Sequence, residues 1–201
     1  MSTESILKSV IEIKDDEAAQ KLLDVLERPV SKIPRPSTDT VRGLDGVAEY
    51  IEHALVANNF VIKIGSQMVV EQGRVFERVR YRLPENNFWD IVPDVSIVVD
   101  VEKRTEIAFT NVPCFVMEIV ASEWERVLCK KKMEVYYRAK VPECWVADWN
   151  MKSVEIYCFA DECEDIEAGL QKVVTEENKD ELRISTFPKI EFSYEELFKD
   201  V

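Results

Sequence analysis

The chain has 201 residues, 46% of them hydrophobic and 32% charged, with 26 Lys and Arg against 39 Asp and Glu for a formal charge of −13. That is enough for one domain with a sizeable core and too little for two large ones. The longest apolar runs, 95–99 and 112–117, fall far short of the roughly 18 residues of a membrane span, the first residues lack the basic and apolar regions of an export signal, and the acidic balance argues against non-specific coating of nucleic acid while allowing a local basic groove.

Residues 17–27 (EAAQKLLDVLE) carry Ala, Leu and Val at helical spacing behind the acidic pair Asp15-Asp16, which predicts an amphipathic helix. Pro29, Pro34 and Pro36 then interrupt any regular element, so 1–40 reads as an N-terminal helical arm with a linker and 41–201 as the main domain. The arm is either an appended interaction helix or a helix packed on the core. Residues 44–58 read as a helix with Val47, Tyr50, Ile51 and Leu55 on one side. Stretches 61–70 and 74–83 read as two strands joined in a hairpin at Gln72-Gly73.

After a turn-rich stretch, 95–100 and 114–120 are short runs too apolar to be half exposed, and 123–139 is a clear helix. Stretches 143–148 and 154–159 suggest a second hairpin around Asn150. Residues 193–198 form a short helix with Ser193 as N-cap and Glu196 at the capping-box position. Strand pairs flanking a strand-helix-strand unit predict an α/β fold with a mixed sheet.

Five cysteines, Cys114, Cys129, Cys144, Cys158 and Cys163, form an odd set with no C-x-x-C spacing. Reduced thiols packed as small hydrophobes in a cytoplasmic protein are the expectation. His53 is the single histidine, so a zinc site or a His-dependent triad would have to be built around it alone.

Two carboxylates interrupt apolar strands. Asp94 follows Pro93 at the entrance of 95–100, and Glu118 sits in the middle of 114–120. A buried carboxylate must meet a cation, a donor cluster or water. A divalent metal answers that need, because two carboxylates and a backbone carbonyl offer the hard oxygens Mg²⁺ prefers; the alternative is a structural carboxylate paired with Lys or Arg. Within the run Lys130-Lys131-Lys132, Lys132 lies one turn after Leu128 and one turn before Val135 and Tyr136. It therefore borders the inward face, whereas Lys130 points to solvent. Arg74, Arg78, Arg80 and Arg82 alternate along 74–83, which is either a phosphate-contacting stripe or a face paired with the surplus acids.

Pro93-Asp94, a strand with Glu118 and a helix with Lys132 resemble the PD-(D/E)XK nuclease superfamily. More narrowly they resemble a bacterial family of restriction-endonuclease-like proteins whose lysine has migrated onto the helix. Residues 112–120 (VPCFVMEIV) are similar to that family's glutamate strand, 132–145 (KMEVYYRAKVPECW) to its lysine helix and following strand entry, and 187–190 with 195–198 to its ending. The likeness runs from about Pro93 to the C-terminus. Ala121, Leu128 and Lys140 depart from the family's usual Ser, Asp and Gly, and Glu125 stands about two turns before Lys132.

The resemblance implies a restriction-endonuclease-like core and metal-dependent endonuclease activity on DNA. It implies Asp94, Glu118 and the Ile119 carbonyl as ligands of Mg²⁺ or Mn²⁺, Lys132 as the residue that orients or deprotonates water, and Glu49, with Glu52 as runner-up, as an auxiliary carboxylate. A homodimer is expected, because cutting both strands needs two active centres. The competing reading is a non-catalytic interaction protein that keeps the nuclease fold.

Overall fold

A computed structural model describes residues 44–69, 73–83, 90–159 and 163–201, with side chains from residue 51 onward. The arm and linker expected over 1–40 lie outside the described residues. Helix α1 (Leu44–Gln67) leads into strands β1 (Arg74–Glu77), β2 (Val95–Val98) and β3 (Phe115–Val120). Helix α2 (Glu123–Arg138) follows, then β4 (Glu143–Asp148) and β5 (Ser153–Tyr157). The chain ends with α3 (Ile166–Gly169), β6 (Leu170–Val174), a 3₁₀ helix (Glu176–Glu181) and α4 (Tyr194–Leu197).

The six strands form one sheet in sequence order, β1 to β6. Neighbours are antiparallel except β3 and β4, which run parallel in the register Glu118↔Val146. Helix α2 is the crossover such a parallel pair requires. Strands β2, β3 and β4 are buried at every position, which is why their sequences read as continuous apolar runs instead of alternating ones.

Alternation nevertheless sorts their side chains onto two faces. Phe115, Met117, Ile119, Trp145 and Ala147 join Val56, Phe60 and Ile64 of α1 in one core. Val116, Val120, Cys144 and Val146 join Cys129, Met133 and Tyr136 of α2 in the other. Phe60 centres the first core, stacked on Phe115 at 5.1 Å and meeting Trp145 and Phe192 edge-on. Burying one such ring contributes about 1.5–3 kcal/mol.

The expected hairpin at Gln72-Gly73 does not form. Residues 61–67 continue α1, and β1 pairs with β2. The β-branched Val61, Ile62 and Ile64 favour a strand locally, but Val56, Phe60 and Ile64 recur every four residues and are all fully buried, so packing on the sheet overrides propensity. The Asn58-Asn59 pair is no break either, since Asn59 Nδ2 donates to the Leu197 and Lys199 carbonyls at 3.1 and 2.8 Å.

The stretch 74–83 is also divided. Arg78 adopts φ +50° and turns the chain off the ladder, after which Tyr81 makes isolated bridges to Ile91 and Phe109. The four arginines thus do not share one strand face. Strand β6 was not expected; its burial is confined to Val174 and partly Lys172, so no alternation marks it.

Candidate active site

Three elements converge where β2 begins and β3 ends. The pair Val95↔Met117 sets Asp94 beside the end of β3, and the Ile119 N–H donates to Asp94 Oδ2 at 2.9 Å. Glu118 has even parity on β3 and faces the α2 side of the sheet. Helix α2 starts at Ser122, whose Oγ accepts from the Glu125 N–H, while Glu125 Oε2 accepts from the Ser122 and Ala121 N–H groups at 3.0 and 2.8 Å. This capping box fixes the helix so that Cys129, Lys132, Met133 and Tyr136 form its inward stripe.

Lys132 Nζ donates to Glu118 Oε2 at 2.6 Å and to the Val92 carbonyl at 2.9 Å. The Tyr136 hydroxyl donates to Glu118 Oε1. Both oxygens of Glu118, which is 2% exposed, are therefore held by donors from successive turns of one helix. On its other side Asp94 Oδ1 meets His53 Nε2 at 3.3 Å and Arg78 Nε at 3.8 Å.

Burial raises the Glu118 carboxyl to about 7 from its ordinary 4.5; nearby Asp94 adds to the rise, and Lys132 and Tyr136 oppose it. Asp94 behaves in the opposite way. Burial works against its charge, but the His53 hydrogen bond, the Lys132 charge and the Ile119 N–H together hold it below the usual carboxylate range. For Lys132, burial favours the neutral amine, yet the charges of Glu118 and Asp94 prevail and keep it an ammonium. Two carboxylates whose environments push their pKa values apart, with a cation between them, mark a functional-site candidate.

The structure brings Asp94, Glu118 and Lys132 together. Glu49 lies on α1, but its side chain is outside the described residues. The described α1 group at Asp94 is His53, the residue after Glu52. Glu125 does not act beside Lys132, because its carboxylate is spent on the helix cap. Sequence reasoning missed Tyr136 as a partner of Glu118, although its i,i+4 spacing from Lys132 was the available signal. It also missed the pairing of His53 with Asp94, which carried no local signal.

Among the described residues no group of three His, Cys, Asp or Glu side chains gathers as metal ligands. The oxygens that Asp94 and Glu118 bring near one another are fewer, and they are hard donors. Among the described residues Asp94 Oδ1 is engaged only by the longer contacts of 3.3 and 3.8 Å to His53 and Arg78, which leaves that oxygen open to a closer ligand. This chemistry fits Mg²⁺ or Mn²⁺.

The mixed sheet with its Pro-Asp turn, glutamate strand and lysine-bearing crossover helix is a restriction-endonuclease-like core. The chain belongs to the family described as "Uma2: Putative restriction endonuclease", whose model matches residues 44–195. Among solved structures it is similar to a nuclease of the family DUF820 from Anabaena variabilis, titled "putative", with 18% identity over 73% of this chain and 80% of that one at a TM-score of 0.55. None of the curated proteins matches the chain.

Proposed function

We propose that this chain is a metal-dependent endonuclease that hydrolyses phosphodiester bonds of DNA, with Asp94, Glu118 and Lys132 as its catalytic residues. The observation that carries the reading is the Lys132 ammonium, delivered by α2 onto Glu118 beside Asp94. Asp94, Glu118 and the Ile119 carbonyl would hold Mg²⁺ or Mn²⁺. When bound, the ion supplies a lowered pKa for water and neutralises charge on the phosphate.

The chain's own residues do the rest. Lys132, held against Glu118 by a 2.6 Å hydrogen bond, orients or deprotonates the attacking water and stabilises charge on the phosphorane-like transition state. Tyr136 and Lys132 fix the plane of the Glu118 carboxylate. The Ile119 N–H and His53 fix that of Asp94. Met133 and Cys129 exclude bulk water from the helix side. The enzyme works as a homodimer, since cleavage of both strands needs two centres.

The test is thermal unfolding of the parent and of Glu118→Gln with and without Mn²⁺, run beside plasmid cleavage. The parent should cleave and gain stability with Mn²⁺, because a ligand bound only by the folded state stabilises it, and the variant should lose both. A parent that neither cleaves nor responds to Mn²⁺ overturns the reading in favour of a non-catalytic interaction protein.

A further inference from the structure

We infer that Arg78 is the residue through which this site grips a phosphate of the DNA backbone, an inference that deepens the nuclease reading and rests on it. Four arginines alternate between 74 and 82, and the structure separates their fates. Arg82 closes on Asp90 with Nε and Nη2 at 2.8 and 3.0 Å, and Arg80 reaches the same carboxylate at 3.3 Å. Arg74 pairs with Val98 at the far end of β1, whereas Glu77 pairs with Val95, so it is Arg78 that comes next to Asp94.

Its backbone is tied there. The Arg78 N–H donates to the Asp94 carbonyl at 3.0 Å, and φ is +50°, a conformation that few residues other than glycine adopt. Such a backbone persists where its surroundings over-determine it, and functional sites are where it collects. The guanidinium turns toward the site, with Nε 3.8 Å from Asp94 Oδ1 and Nη2 3.5 Å from His53 Nδ1. The His53 ring touches both groups, with Nδ1 toward Arg78 Nη2 and Nε2 3.3 Å from Asp94 Oδ1.

Neither contact closes the guanidinium fork. The Arg78 side chain is 36% exposed against 15% for Lys132, and Lys132 is already committed to Glu118 and the Val92 carbonyl. Lys132 is thus the enclosed cation of the site and Arg78 the accessible one. Among the described residues the remaining donors of this planar fork meet no partner, and beside Asp94 they suit a phosphate, which arginine binds bidentately.

The experiment uses the full chain, a short fluorescein-labelled DNA duplex and a NaCl series read by anisotropy, with Mn²⁺-dependent plasmid cleavage and melting curves in parallel. Arg78→Ala should weaken duplex binding about tenfold or more and lower the log–log salt slope by about 1. Its KM should rise more than its kcat falls, as for a contact made before the transition state. Arg78→Lys should keep the salt slope but lose affinity with the fork, and Arg82→Ala should match the parent. If Arg78→Ala fails to fold, Arg78→Lys decides, and a KM equal to the parent's overturns the assignment. A parent that binds and cleaves while Arg78→Ala does so equally well overturns the role of Arg78 and leaves the nuclease reading standing. A parent that neither binds nor cleaves removes both.

Discussion

Glu143 at the start of β4 and Glu118 near the end of β3 are both shut away from water on neighbouring strands, yet the groups around them differ in kind. Glu143 accepts from the Trp145 indole and the Ser185 N–H on one oxygen, and from the Thr186 N–H and hydroxyl on the other, at 2.8–3.1 Å. Four neutral donors satisfy it and tie the segment after the 3₁₀ helix to the sheet. Glu118 instead meets an ammonium and a phenol, with a second carboxylate close enough to raise its pKa. Full satisfaction by neutral donors holds a fold together; an ion pair set beside a second carboxylate marks a candidate site.

Breaking the first cluster should cost most. Glu143→Ala leaves the buried Trp145 indole without its acceptor and frees the less buried Ser185 and Thr186 donors, which predicts a loss of about 2–3 kcal/mol in urea unfolding, the same with and without Mn²⁺. A loss under about 1 kcal/mol would mean that the clamp does not hold the C-terminal segment.

The second cluster should reveal itself through pH in metal-free buffer. The folded protein keeps the Glu118 proton up to about 7, whereas the unfolded chain releases it near 4.5, so the native state binds more protons in between. Stability from this group therefore falls as pH rises from about 4.5 to about 7, by up to about 3 kcal/mol. Asp94, shifted downward, acts in another window: its contribution is present above the ordinary carboxylate range and is lost only in stronger acid. Glu118→Gln should abolish the decline between about pH 4.5 and about pH 7. Parallel curves for parent and variant would exclude Glu118 as its source.

A smaller change sharpens the same contrast. Tyr136→Phe removes one donor from Glu118, which predicts a loss of about 1–2 kcal/mol and a shift of the stability decline to higher pH, because the phenol favours the charged carboxylate. An unchanged pH profile would show that the phenol does not tune Glu118.

The sequence exposes most of what lies on strands and helices of strong pattern. Strand β4 has its expected bounds, α2 ends one residue short of expectation, and the Ser193–Glu196 capping box forms as the spacing requires. Asp94 and Glu118 were legible because each is a charge set in an apolar run, Lys132 because in a three-lysine run its helix register borders the inward face, and the resemblance joined the three. His53 and Arg78 were not, since their meeting with Asp94 depends on where α1 crosses the sheet and on a positive φ that no neighbouring residue announces. The 61–67 segment was misread for a related reason: its β-branched residues speak for a strand, and only the i,i+4 contacts of Phe60 and Ile64 with the sheet decide for a helix.

Calorimetric titration of Mn²⁺ into the parent and into Asp94→Asn, each checked for folding by its melting curve, tests the central claim most directly. The account predicts saturable binding by the parent and its loss in the variant, which keeps the shape of Asp94 and removes its charge. Equal binding by the two folded proteins, or none by the parent, would contradict it.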